Sequence, residues 1–153
     1  MNNKYNIFLL ATIFTLCIFV LQSVEAESES ESVYEIRNNQ IMEPLVEGLP
    51  DPMNGREIVI SRIGNCLACH KISSIDESFQ GNIGPSLDGV GERYKEGELR
   101  LRLVNPYYLN PESLMPSFFQ NKNLVRVEKK YSGKTILTAR QIEDVISWLL
   151  TLK

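Results

Sequence analysis

Residues 64–70 read Gly64-Asn65-Cys66-Leu67-Ala68-Cys69-His70, and the five from Cys66 to His70 decide how the rest of the chain is read. The pattern C-x-x-C-H is the attachment signature of c-type haem. Its spacing has a physical cause. Two thiols separated by two residues can add to the two vinyl groups of one porphyrin edge, and a histidine directly after the second is brought under the ring, within reach of the iron. Two other readings compete. A thioredoxin-like redox pair would want a surrounding βαβ pattern, and a structural zinc site would want further Cys or His ligands. His70 is the only histidine of the chain, and Cys17 is the only cysteine besides Cys66 and Cys69. One covalent haem c, held by Cys66 and Cys69 with His70 on the iron, is the expectation.

Working outward, the chain opens with Lys4 on a short polar stretch, runs almost wholly apolar from Ile7 to Leu21, and closes on Val24-Glu25-Ala26. That is the layout of a secretory signal, expected to be removed over residues 1–26. The alternative is an uncleaved anchor, but the apolar run is shorter than the ~20 residues that span a bilayer. Cys17 sits inside the run as an apolar filler and should leave with it. The mature chain then holds two cysteines in a compartment that favours disulfides, and the haem motif uses both, so a disulfide framework is excluded.

The formal charge of −3 is unevenly placed. Glu27, Glu29, Glu31 and Glu35 crowd the start of the mature chain among Ser28, Ser30 and Ser32, while from Arg37 onward 15 basic residues face 14 acidic ones. A nearly neutral domain behind a solvated acidic leader offers no electrostatic reason to expect nucleic acid or, after signal cleavage, a membrane as partner.

The chain of 153 residues has room for one modest domain. Residues 33–47 are compatible with a short helix, and Pro44, Gly48, Pro50 and Pro52 mark a connector, so 27–53 reads as an N-terminal extension or linker and 54–153 as the domain. The stretch 54–65 is ambiguous: Ile58-Val59-Ile60 suits a strand, whereas Val59, Ile63 and the cap-like Asn54 suit a helix. Residues 71–93 carry Gly81, Gly84, Pro85, Gly89 and Gly91 and read as irregular loop. Glu98–Val104 is a short amphipathic piece stopped by Asn105-Pro106. Thr138-Ala139-Arg140-Gln141 fits a capping box, and Ile142, Val145, Ile146 and Leu149 follow at helical spacing. A helix from about 138 to 152 is expected, with Trp148 near its packed side and Arg140, Glu143 and Asp144 facing water.

A six-coordinate iron needs a second axial ligand, and with no other histidine a methionine thioether is the natural candidate. Met42 and Met53 precede the motif. Met115 follows it, in a loop bounded by Pro106, Pro111 and Pro116, where the next residue, Pro116, favours an extended backbone. The alternative is that Met115 fills a gap in the core and the iron is five-coordinate. Gly84-Pro85-Ser86-Leu87 is placed to pack on the histidine side, where the Pro85 carbonyl can accept from the second imidazole nitrogen; an ordinary turn proline is the other reading. Tyr94, Tyr107, Tyr108, Phe118 and Phe119 read as pocket wall and core, and no residue is assigned a catalytic role.

Beyond the haem motif, further runs resemble the SoxX subunit of SoxAX, the cytochrome complex of bacterial sulfur oxidation. They are Gly81-Asn82-Ile83-Gly84-Pro85-Ser86-Leu87, Gly91-Glu92-Arg93-Tyr94, Leu99–Val104, Asn110-Pro111-Glu112-Ser113-Leu114-Met115-Pro116-Ser117-Phe118 and Ile136–Val145. The resemblance implies an all-α, class I cytochrome c fold, with N-terminal and C-terminal helices crossing around a covalently bound haem. It makes 54–65 a helix, with Gly55 the small residue at the crossing and Trp148 the aromatic packed there. It also implies His70/Met115 ligation, a periplasmic location and pairing with a SoxA-like cytochrome. In that family a SoxA haem-ligand cysteine takes up thiosulfate and transfers it to a cysteine of the carrier SoxYZ, making the complex an L-cysteine S-thiosulfotransferase. SoxX accepts the released electrons and passes them to a downstream cytochrome. This chain has no spare cysteine for the sulfur step. The alternative function is a free-standing periplasmic electron carrier. The leader of 27–33 matches no functional part of the family.

Overall fold

The protein is described here from a computed structural model, which covers residues 34–122, 127–129 and 132–153. The expected signal over 1–26 and the Ser/Glu leader lie outside the described residues.

The capping box at Thr138 forms as its residues dictate. Gln141 N–H donates to Thr138 Oγ1 at 3.2 Å, and Thr138 N–H donates to Gln141 Oε1 at 2.9 Å. Ahead of the helix it opens, which is the last of the chain, the order is β1 (Ile36–Arg37), β2 (Gln40–Ile41), α1 (Pro52–Ile60), a 3-10 turn (Cys66–Ala68), α2 (Val90–Arg93), α3 (Glu96–Val104) and α4 (Pro106–Leu109). The last helix itself is α5 (Ala139–Leu149). The architecture is an all-α cytochrome c fold with one small hairpin added.

The ambiguous stretch is a helix. Asp51 caps α1 by accepting from Met53 N at 2.8 Å, Pro52 occupies its first turn, and Ser61 Oγ ends it by donating to Ile58 O at 2.8 Å. It therefore starts and stops earlier than 54–65. Gly55 is where α1 meets α5: a Cβ there would run into the carbonyl of Asp144. The two helices cross backbone to backbone, and Val59, Ile142, Val145 and Ile146 close the core beside the contact, with Trp148 buried in the same cluster.

Two expectations fail. The helix allowed within 33–47 is a two-stranded antiparallel hairpin, Ile36 opposite Ile41 and Arg37 opposite Gln40. Asn38 and Asn39 turn it with φ of 51° and 59°, the left-handed region that asparagine tolerates best among residues with side chains. Glu143 and Asp144 do not face water either, being 4% and 2% exposed. Arg100, fully buried on α3, donates to both carboxylate oxygens of Glu143 at 2.8 and 2.7 Å, pairs with Glu96, and donates to Ile41 O at 2.8 Å. Glu143 Oε1 also accepts from Leu45 N at 2.9 Å. Asp144 accepts from Asp51 N and from Asn54 Nδ2, both at 2.8 Å.

Side chains of α3 and α5 thus satisfy backbone groups of residues 41–51. The described part of the expected linker is packed onto the domain, because its unpaired N–H and C=O groups find buried charged partners there. Burial alone would lower the pKa of Arg100. The hydrogen bonds and charge of Glu143, then those of Glu96, outweigh it and hold the guanidinium above its ordinary value.

Candidate haem site

Asn65, at φ 49°, turns the chain out of the segment after α1 and into the 3-10 turn that carries the motif. The turn is closed by Cys69 N–H and His70 N–H, which donate to Cys66 O at 3.1 and 2.9 Å. Cys66 and Cys69 stand half-buried at its two ends and are not joined to each other. Burial, reinforced by the neighbouring Cys69, pushes the Cys66 thiol up to about 11. A redox-active or nucleophilic cysteine shows the opposite shift, toward thiolate at neutral pH. Among the described residues no group of three or more His, Cys, Asp or Glu side chains is arranged to hold a metal ion.

The loop after the motif folds back along it. Gly81 N–H donates to Leu67 O at 2.8 Å, Gly84 N–H to Cys69 O at 2.8 Å, and Leu87 N–H to Lys71 O at 2.9 Å. This pairing lays Gly84 and Pro85 against His70. The Pro85 carbonyl stands 2.7 Å from Nδ1 of the imidazole. A carbonyl only accepts, so Nδ1 carries the proton and Nε2 is left with its lone pair free. Gly84 lies on the ring itself, since a Cβ there would overlap the imidazole atoms. Gly81 is as tightly placed, against the Ala68 carbonyl.

These residues fit a c-type haem: two thiols at the ends of one turn, then an imidazole whose tautomer presents Nε2 and whose face is backed by a residue without a side chain. Cys66 and Cys69 would carry the thioether bonds, and His70 Nε2 would be the nitrogen ligand. Met115 is half-buried and packs against the same core cluster as Cys66 and Leu67. Its loop is pinned by Met115 N–H to Ser113 Oγ at 3.1 Å, by the Ser117 hydroxyl to Val104 O, and by Phe118 N–H to Leu103 O at 2.9 Å. Met42 and Met53 are exposed.

The aromatic residues divide. Phe118 is buried, and Tyr94 and Phe119 pack partly buried on the core, with Arg102 3.9 Å above the Tyr94 ring. Tyr107 and Tyr108 are exposed and do not belong to the core.

The reading of the sequence missed Gln80. Its side chain accepts from Ile72 N at 2.6 Å and donates to Ile75 O at 2.9 Å, closing the loop after His70. It also missed Asp88 and Arg93. Ser86-Leu87-Asp88 does carry a local signal, a serine whose hydroxyl accepts from the backbone N–H of an aspartate two residues on and donates to its carboxylate. Nothing in the sequence pairs Asp88 with Ser73.

A family model described as "Cytochrome c" matches residues 53–153. A chain of the crystal structure of SoxXA from P. pantotrophus is 34% identical. That match covers 81% of this chain and 97% of the other, with a TM-score of 0.73. The chain belongs to the cytochrome c family and, within it, to SoxX. As a SoxX cytochrome it carries a covalently bound haem c and transfers electrons. No curated protein matches the sequence. Among the described residues no helix is long and apolar enough to cross a membrane.

Proposed function

We propose that this SoxX cytochrome is the electron relay of a periplasmic SoxAX-type L-cysteine S-thiosulfotransferase. It would pair with a SoxA-like subunit and, through it, serve a SoxYZ-like carrier. Joining thiosulfate to a carrier cysteine forms one S–S bond and releases two electrons, which this subunit receives and hands to a downstream cytochrome. One observation carries the reading: the chain superposes over nearly the whole length of a chain from a SoxXA structure, yet beyond Cys66 and Cys69 it has no cysteine outside the expected signal segment. The sulfur chemistry is therefore assigned to the partner.

The chain's own residues supply attachment, ligation and order. Cys66 and Cys69 would hold the haem through thioether bonds, and His70 Nε2 and the Met115 sulfur would be its iron ligands. The Pro85 carbonyl keeps Nδ1 protonated, which fixes the ring and strengthens Nε2 as a donor. A sulfur ligand and an apolar surround favour the reduced state and raise the potential. Bound haem supplies the one-electron ferric/ferrous couple.

Three measurements test this. Met115→Ala should abolish the weak near-infrared sulfur-to-iron band of the ferric protein; a band that persists, or that the wild type never shows, removes Met115 as ligand. Native protein pulled down from cells grown on thiosulfate, stained for haem and identified by mass, should bring a larger cytochrome with it. Recovery of this chain alone would favour the free-standing carrier instead. Amino-terminal sequencing of the exported protein should begin at Glu27, the expected signal boundary.

A further inference from the structure

The segments flanking the imidazole are fastened to each other by side chains that the haem motif does not include. We propose that Asp88 is a positioning residue for the axial imidazole: its carboxylate holds residues 71–73 and 86–88 in register and so sets the strength of the hydrogen bond from His70 to Pro85. The proposal rests on the reading of His70 as the iron ligand.

Pro85 has no N–H of its own, so the place of its carbonyl depends on its neighbours. On one side Gly84 N–H is held by Cys69 O. On the other Leu87 N–H is held by Lys71 O, and Asp88 adds a side-chain cross-tie: its Oδ1 accepts from Ser73 N at 2.7 Å and its Oδ2 accepts from Ser73 Oγ at 2.7 Å. The Ser86 hydroxyl stands 2.9 Å from Asp88 Oδ2 and 3.2 Å from Lys71 O. Its single proton serves the nearer carboxylate, since Lys71 O already takes Leu87 N–H at 2.9 Å. Ser86 Oγ in turn accepts from Asp88 N at 3.1 Å. Three donors therefore meet one carboxylate, joining the third residue after His70 to the first and third after Pro85. Charge-assisted bonds of this kind are the stronger class.

The cation that acts on this carboxylate is Lys71, and Arg93 braces the same loop through its backbone, donating to Ser86 O at 2.7 Å and to Asp88 O. Without Asp88 the loop keeps its backbone pairing at Gly84 and Leu87 but loses its cross-tie to Ser73. The Nδ1–H to Pro85 bond then lengthens, the imidazole becomes a weaker donor, and the ferric state loses stabilisation.

The test uses the haem-loaded protein. Asp88→Ala should shift the reduction potential upward and speed the exchange of the His70 ring N–H seen by proton NMR of the ferrous form. Asp88→Asn, which keeps one acceptor oxygen, should fall between it and the wild type. Ser61→Ala, which removes the hydroxyl bond to Ile58 O at the end of α1, serves as a control that lowers stability with the potential unchanged. A haem-loaded Asp88→Ala protein with wild-type potential and wild-type ring N–H exchange overturns the proposal. Should Asp88→Ala fail to load haem, Ser73→Ala is read the same way: a smaller shift in the same direction is expected, and no shift overturns it. The ligand reading fails separately, if His70→Ala keeps the wild-type low-spin spectrum.

Discussion

Gly84 shows how closely one residue is fitted to the site. Its missing side chain is what lets the loop lie on the imidazole of His70, because a methyl group there would overlap the ring. Gly84→Ala should therefore force the loop outward and cost about 1–3 kcal/mol, as overpacking does. The check is the urea midpoint together with haem content per polypeptide, and both should fall. Cys66, Cys69 and His70 were expected from the sequence because the haem motif is a short spacing that survives any folding context, whereas Pro85 was one of two readings, and its 2.7 Å approach to His70 Nδ1 depends on the folded loop. Gly84 was legible as a loop residue next to Pro85, while its contact with the ring was not, since it depends on how residues 81–87 pair with 67–71. Met115 stood out from Met42 and Met53 by its place after the motif, and it alone of the three is tucked against the core.

Among elements, the informative case is the contact of α3 and α5 with the segment before α1. The helical period put Glu143 and Asp144 on the solvent side of α5, which is right for a helix with one apolar neighbour. Here a second neighbour, residues 41–51, lies across that side and brings unpaired backbone groups with it. Glu143→Ala should leave Arg100 charged and buried with only Glu96, an outcome that costs about 3–5 kcal/mol in comparable cases. The double variant Arg100→Met with Glu143→Leu should cost less than Glu143→Ala alone, measured by denaturant unfolding of the holoprotein.

The loop carrying Asp88 gives a pH test at the same scale. Hydrogen bonds from Ser73, then from Ser86, hold this carboxyl below its ordinary value. A depressed folded-state pKa stabilises the fold above the unfolded value, near 3.9 for aspartate, and that stabilisation is lost as pH falls through the folded value. Below about pH 4, Ser73→Ala should show a shallower acid loss than the wild type, and above that range the two curves should run parallel. Equal slopes in acid would show that Ser73 does not set the titration of Asp88.

For the whole molecule the controlling fact is size. A domain this small buries too little apolar surface to be comfortably stable by itself, and a covalently held porphyrin completes its core. Cys69→Ala should lose much of its holoprotein, visible as a fall in haem stain relative to immunoblot signal. Gly55→Val should be as damaging without touching the haem motif, because α1 and α5 would be pried apart at the Asp144 carbonyl; a near-native melting temperature would contradict that. By itself the sequence determined the covalent haem, the last helix and the family, each of which rests on contacts between residues a few positions apart or on runs read in order. Tertiary structure alone decided that 36–41 forms a hairpin and that the following segment is clasped, that Glu143 and Asp144 are buried, and that Asp88 reaches Ser73. Those outcomes depend on which distant backbone groups need partners, and a linear pattern of apolar and polar residues does not carry that information. Cys66 to His70 name the haem, and the packing of residues 81–88 upon them sets how the histidine is held.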